Sequence, residues 1–241
     1  MSIVSYGTNN LRTKGEERDR AMRTRTVYLD DSSKALEYLR SCDERVAALI
    51  YRLGALAYDV YLDDYEFLVW QIVGQMISNQ ATQKIGERLV QACDGRITRE
   101  AIDGLDDSNL RDVGLSRPKI TYIRMLNESI EAGLFDFAEL RTLDDASARE
   151  KLLSLHGVGE WTAAMYLIFV LDRQDVLVPT DRVFVHTFKW LYETEDASRG
   201  AILERSKKWS PYRSIVARYF YLADDRGLTR DRLSLIFDSD K

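Results

Sequence analysis

The stretch Leu155-His156-Gly157-Val158-Gly159-Glu160-Trp161-Thr162-Ala163-Ala164 decides how this chain is read. Before it, residues 144–155 form an amphipathic run carrying Leu152, Leu153 and Leu155, and after it apolar periodicity resumes as WTAAMYLIFVL from Trp161. The pattern predicts a helix, a turn bracketed by two glycines, and a second helix whose first backbone amides point outward. Such a turn suits phosphate. The glycines let the main chain approach closely, and the free N–H groups and positive dipole end of the second helix complement an anion without Lys or Arg. Taken alone, the same residues also fit a tight helix–helix turn. Further on, Val178-Pro179-Thr180-Asp181-Arg182-Val183-Phe184 sets a carboxylate after a proline at the expected start of a helix, 22 residues past Gly159. Read by itself, Asp181 is a good N-cap.

Outward from this centre the chain reads as helices joined by short connections. It has three prolines, Pro118, Pro179 and Pro211, and apolar residues recur at three- and four-residue spacing almost throughout, so the fold class is all-α. Ser33 is expected to cap a helix to about Ser41, and Asp43 one running through Ala57 with Val46, Leu49, Ile50 and Leu53 on one face. Residues 65–79, YEFLVWQIVGQMISN, are apolar nearly all round and belong at the centre of a domain. Residues 80–93 continue that helix or form the next, and Asp106–Val113 is short. Ser116 with Pro118 starts a long helix that Gly133 can end. Further helices are expected at about 181–192, 197–209 and 211–223. Residues 1–26 differ: Arg12, Lys14, Arg18, Arg20, Arg23 and Arg25 stand against Glu16, Glu17 and Asp19 with little to bury, which predicts a disordered, mildly basic tail before a core at 27–241.

Composition removes whole classes of function. The 241 residues, 45% hydrophobic and 30% charged, suffice for one large core or two modest ones. Lys plus Arg number 34 and Asp plus Glu 39, a net charge of -5 with a pI near 5.3, which excludes a strongly cationic DNA-coating protein but not a locally basic surface. No apolar run approaches the roughly 20 residues of a membrane span, and the start lacks the apolar core of a signal peptide. An intracellular protein with no membrane partner is expected. Two cysteines, Cys42 and Cys93, cannot supply the four thiolates of an iron-sulfur cluster, and two histidines, His156 and His186, limit metal chemistry as sharply, so no catalytic metal is expected.

Together, the LxGVGxxTA hairpin and the V-P-x-D segment resemble the signature of the endonuclease III, or HhH-GPD, superfamily of DNA glycosylases. The likeness extends from about Ser33 to Asp225. Ile77-Ser78-Asn79-Gln80-Ala81-Thr82 resembles the family's LSxQxT segment, and the run from Leu110 to Lys119 resembles its L…lGl…KA segment. Trp209-Ser210-Pro211-Tyr212-Arg213-Ser214 is similar to the W-x-P-W/Y-R-S element of the alkylbase branch, the 3-methyladenine DNA glycosylase II or AlkA-type enzymes. Bifunctional members carry a lysine two residues past the second hairpin glycine, where its amine forms a Schiff base with the sugar; here Trp161 occupies that place.

This resemblance implies a two-lobed helical core with the active site in the cleft between lobes, and a monomer that acts on double-stranded DNA containing damaged bases. The implied activity is flipping and excision of alkylated purines by hydrolysis of the N-glycosidic bond, without strand cleavage, initiating base excision repair. Asp181 would be the catalytic carboxylate, stabilising positive charge on the sugar and orienting water. Trp161 and Tyr221 would wall the base pocket, with a tyrosine where the branch places tryptophan; Trp70, Trp190 and Trp209 read as core. Gln80 is the favoured wedge for the gap left by the flipped base, with Met76 as alternative. Phosphates would meet Gly157, Gly159, Trp161, Thr162 and Arg213, with further positive charge from Arg117, Lys119, Lys207 and Lys208. No cofactor is implied beyond a structural monovalent cation at the hairpin carbonyls. Such an enzyme would work at the nucleoid of a prokaryote or in the nucleus of a eukaryote. The alternatives are a glycosylase for an oxidised or deaminated purine, and a non-catalytic helix-hairpin-helix DNA-binding protein.

Overall fold

Short polar residues in front of apolar runs mark where helices begin. The computed structural model describes residues 22–230 and residue 233. In chain order the elements are β1 (Thr24–Leu29), α1 (Lys34–Cys42), α2 (Glu44–Leu53), β2 (Leu56–Tyr61), α3 (Asp64–Gly74), α4 (Asn79–Ala92), α5 (Arg99–Asp103), α6 (Asp107–Asp112), α7 (Arg117–Glu131), α8 (Phe137–Leu140), α9 (Asp145–Leu153) and α10 (Glu160–Phe169). Then come α11 (Arg182–Tyr192), α12 (Arg199–Ser206), a 3-10 turn Lys207–Trp209, α13 (Arg213–Asp225) and a second 3-10 turn Leu228–Arg230. The protein is mostly helical, as expected, and the chain divides into two compact units. One is made by Tyr61–Leu171 with residues 22–25; the other is discontinuous, made by Thr26–Val60 and by the chain from Asp172 onward.

In the first unit the core helices are those with no polar face. Every residue of α3 from Tyr65 to Gly74 is buried, as is α10 from Thr162 to Phe169, and the two pack on each other. Each wholly buried Phe, Leu, Val or Ile stabilises by about 1.5–3 kcal/mol relative to exposure, so a charge placed at Leu68 or Ile168 would unmake this core. The run expected as one helix over 65–79 instead breaks at Gly74, because Ser78 caps a new helix: its Oγ accepts from the N–H of Ala81 at 3.2 Å. Trp70 is buried, as read.

In the second unit α13 is the central element, buried from Ser214 to Ala223 and packed against α11 and α2. Asp43 ties this unit together. Its Oδ1 accepts from the N–H groups of Arg45 (3.1 Å) and Val46 (3.4 Å), while its Oδ2 accepts from Tyr192 Oη (2.6 Å), Trp209 Nε1 (2.9 Å) and Lys208 Nζ (2.9 Å). Burial pushes this carboxyl up, but the bonds from Tyr192, Trp209 and Lys208 outweigh it and hold it below the ordinary range. Trp209 is fully buried and stacks on Tyr192 with centroids 6.4 Å apart, so its reading as core holds.

Other features also differ from expectation. The helix capped by Asp43 ends at Leu53, not Ala57, because Gly54 turns the chain with φ 75 and Leu56–Tyr61 alternates buried and half-buried as a strand. β1 and β2 form a two-stranded sheet that helical periodicity had hidden. The predicted tail at 1–26 lies outside the described residues as far as 21; its last part is not tail, since the carbonyl of Arg23 accepts from Leu62 N–H at 2.9 Å and Thr24 opens β1.

Candidate active site

The two hairpin glycines do different jobs. Gly157, between α9 and α10, has φ 82, and a Cβ there would lie 2.4 Å from the ring of Tyr122, so both backbone and space demand glycine. Gly159 is the N-cap of α10 with φ -98 and no side-chain cap, and a Cβ there would meet nothing within 4 Å. Its lack of a side chain leaves open space in front of the helix's first amides, which have no intrahelical partners. Val158 N–H closes the turn on Leu155 O at 3.1 Å, and Ala163 N–H bonds Gly159 O at 2.9 Å. Trp161 is half-buried in the first turn of α10, whereas Thr162 is 3% exposed, its side chain in the core rather than available to a phosphate. Glu160 would repel an anion there; Arg149, from α9, pairs with it and offsets that charge.

Beside the hairpin lies the loop between α3 and α4. Gln75 Nε2 donates to the carbonyl of Gly157 at 2.7 Å, fixing the loop to the turn. The next residue, Met76, has φ 60 and is fully exposed, 101% relative to an extended reference. A left-handed backbone costs a non-glycine residue about 1–2 kcal/mol, and a large apolar side chain in water forgoes its burial, so two penalties fall on one residue. Gln80, the favoured wedge on sequence grounds, is exposed too, but sits regularly in the first turn of α4. Lys119, expected as a surface cation, donates to Val73 O at 2.7 Å at the end of α3, and burial pushes its ammonium pKa down. Arg117 is exposed.

In the second unit Asp181 is the N-cap of α11 and is 5% exposed. Its Oδ1 accepts from Phe184 N–H at 2.8 Å, its own N–H donates to Val178 O at 3.0 Å, and its carbonyl accepts from Val185 N–H at 2.8 Å. The backbone around the carboxylate is therefore held on both sides. Tyr221, on α13, is 0% exposed, so no face of its ring is open to solvent in this conformation. The cations expected on phosphates have partners within the protein. Arg213 bonds Asp175 through Nε (2.7 Å) and Nη2 (2.9 Å), Lys208 meets Asp43, and Lys207 pairs with Glu204. Burial raises the Asp175 carboxyl, but Arg213 and Ser210 outweigh that and hold it below the usual range. Arg213 is thus turned to Asp175 in a bidentate guanidinium–carboxylate pair.

Residues 69–211 match the family described as HhH-GPD superfamily base excision DNA repair protein, a span that takes in Met76, the hairpin and Asp181. The chain belongs to the HhH-GPD superfamily. Among superfamily relatives it is similar to an alkylbase DNA glycosidase-like protein, mag2, of Schizosaccharomyces pombe, 25% identical over 198 residues that make up 79% of this chain and 93% of that one. It is also similar to DNA-3-methyladenine glycosylase 1 of the same organism, 26% identical over 78% of this chain and 86% of the relative. Among solved structures, DNA-3-methyladenine glycosidase from Bacillus halodurans superposes with a TM-score of 0.72 at 31% identity, covering 82% of this chain and 92% of that one. Schizosaccharomyces pombe 3-methyladenine DNA glycosylase Mag1 in complex with abasic DNA gives 0.72 at 25% identity, covering 80% and 97%. The HhH-GPD fold read from the hairpin and the V-P-x-D segment is the observed one.

Sequence reasoning missed Gln75, Arg149 and Asp175. Gln75 carried a signal, a polar residue closing a mostly apolar helix, but its partner Gly157 is 82 residues away. Among the described residues no group of His, Cys, Asp and Glu could hold a metal ion, and no helix is long and apolar enough to cross a membrane.

Proposed function

We propose that this HhH-GPD protein is a monofunctional DNA glycosylase of the 3-methyladenine type, hydrolysing the N-glycosidic bond of alkylated purines in duplex DNA. The observation that carries the reading is Asp181, a carboxylate buried at the head of α11 by a capped, doubly anchored backbone. As the glycosidic bond breaks, the electron pair leaves with the base and positive charge grows on the deoxyribose. A fixed carboxylate stabilises that charge and orients the water, whose oxygen bonds the sugar carbon and whose proton passes to the Asp181 carboxylate and on to solvent. Alkylated purines are good leaving groups, so one carboxylate suffices.

The base must leave the stack to reach such a group. Met76 is the better wedge: an exposed apolar side chain on a strained, tethered loop suits insertion between bases, which reverses the preference for Gln80. The amides following Gly159 hold the phosphate backbone, and Trp161 offers a face for an electron-poor base, worth about 0.5–2 kcal/mol. Tyr221 would join it only if its surroundings open. Since Trp161 stands where strand-cleaving relatives of the resemblance carry lysine, an abasic site with intact strand is the product. No cofactor enters this chemistry. A structural monovalent cation at the hairpin would rest on backbone carbonyls, of which Gly157's is already engaged by Gln75. The protein would act as a monomer at the nucleoid or in the nucleus.

The test is incubation with duplexes each bearing one lesion (3-methyladenine, 7-methylguanine, hypoxanthine or ethenoadenine), analysed directly and after hot alkali. Alkali-dependent breaks at an alkylated purine are expected. Release of none of these bases would overturn the reading, and breaks without alkali would overturn its monofunctional part.

A further inference from the structure

The run Trp209-Ser210-Pro211-Tyr212-Arg213-Ser214 carries the resemblance to the alkylbase branch in the sequence. The side chains of Ser210, Arg213 and Ser214 converge on the irregular segment that leads from Asp172 to Asp181. Ser214 is fully buried; its Oγ accepts from Val176 N–H at 2.9 Å and donates to Val176 O at 3.1 Å, while its own N–H donates to Gln174 O at 2.9 Å. One serine thus satisfies both backbone groups of Val176 as a neighbouring strand would, where no strand runs.

On the flank, Asp175 accepts from Arg213 Nε and Nη2, from Arg213 N–H at 3.3 Å and from Ser210 Oγ at 2.7 Å. Nearer the start of the segment, Arg218, 1% exposed, lies 3.7 Å over the ring of Tyr58 and 3.6 Å from Asp172, whose φ is 54. Gln174 Nε2 closes back on Asp172 O at 2.7 Å. Residues 172, 174, 175 and 176 are therefore each tied to α13 or its leading turn. The last tie, at Val176, lies five residues before Asp181, and Val176 and Val178 are the only buried residues between Asp172 and Asp181. The bond from Asp181 N–H to Val178 O carries the constraint to the carboxylate.

We propose that Ser214 and Arg213 are positioning residues that fix Asp181 by clamping the segment before it to α13. This rests on Asp181 being the reacting carboxylate. Polar bonds were needed because the segment has too few buried side chains to be held by packing. A carboxylate that stabilises a developing charge must be placed within about 0.5 Å, and a displacement near 1 Å costs about a hundredfold in rate.

The test compares Ser214→Ala, Asp175→Asn and Tyr219→Phe with the unaltered protein. Three quantities are read: single-turnover base release at saturating enzyme, affinity for lesion duplex by anisotropy, and thermal unfolding. Tyr219 lies on the same helix and loses only its bond to Gly54 O (2.9 Å), away from the segment, so it reports destabilisation alone. Ser214→Ala and Asp175→Asn should lose about tenfold or more in rate with affinity within about twofold, while Tyr219→Phe melts earlier but keeps its rate within about twofold. If Ser214→Ala does not fold, the half-buried Asp175→Asn decides alone. Rates within about twofold for the clamp variants, or an equal loss in Tyr219→Phe, overturn the proposal. Asp181→Asn separates the layers: if it stays active, the reading of Asp181 fails; if it is inactive while Ser214→Ala is fully active, only the positioning role fails.

Discussion

Replacing Asp181 with asparagine and with alanine separates its two jobs. Asn caps helices about as well as Asp, and its carbonyl oxygen can still accept from Phe184 N–H, so Asp181→Asn should stay within about 0.5 kcal/mol of the original stability. Alanine removes the cap, about 1 kcal/mol, and leaves a buried N–H without its acceptor, so a total near 2 kcal/mol and a fall in melting temperature of about 4–8 °C are expected. In catalysis the order changes. Both variants lose the negative charge facing the sugar, a loss of about 10²–10⁴ in rate or roughly 3–5 kcal/mol of transition-state stabilisation. The assay is single-turnover base release from a 7-methylguanine duplex under excess enzyme, with unfolding followed by calorimetry and binding by anisotropy. Retention of more than about a tenth of the rate by Asp181→Asn would refute the electrostatic role. Equal melting temperatures for the two variants would refute the capping account.

Three further outcomes follow from the geometry. Met76→Ala should leave stability unchanged within about 0.5 kcal/mol, since the side chain is fully exposed, yet reduce base release about tenfold, while Gln80→Ala stays within about threefold; the reverse order in the same assay would return the wedge to Gln80. Gly157→Ala combines a left-handed backbone with a clash on Tyr122 and should lower stability by about 2–4 kcal/mol, whereas Gly159→Ala should melt almost normally but bind duplex DNA more weakly, because its Cβ stands before the amides; equal stability losses in urea titrations would contradict this. For Asp43 the folded pKa lies below the unfolded one, so its stabilisation is complete above about pH 4 and is lost as pH falls through the folded value. Asp43→Asn should therefore melt earlier than the original at neutral pH, with the difference closing on acidification; a difference that widens below about pH 4 would contradict the linkage.

Helix starts were legible because their cause is local. Asp106, Asp144 and Asp181 each accept from an amide three residues ahead, an interaction contained within one turn of chain. The centrality of α3 was legible from its missing polar face. The end of α2 was not: Leu56–Tyr61 becomes a strand only because β1 lies beside it, and periodicity over a few residues cannot reveal a pairing partner. The partners of Arg213 and Lys208 were not legible for a similar reason. The acid that meets Arg213 stands 38 positions earlier in the chain and the one that meets Lys208 stands 165 earlier, so an arginine that counts as free in one dimension is occupied in three.

Sequence by itself determined that this chain is helical and that a glycine-bracketed turn precedes a capped carboxylate, because glycine tolerance, capping and apolar periodicity act over a few residues; the HhH-GPD family entered through the resemblance of those two motifs to its signature. Only the tertiary structure decided that Met76, not Gln80, stands fully out on a strained loop, that Gln75 binds this loop to the hairpin, and that Arg213 and Ser214 grip the segment before Asp181. Each of these depends on groups far apart in the chain meeting at hydrogen-bond distance, and that meeting is the product of the packed core rather than of any local stretch.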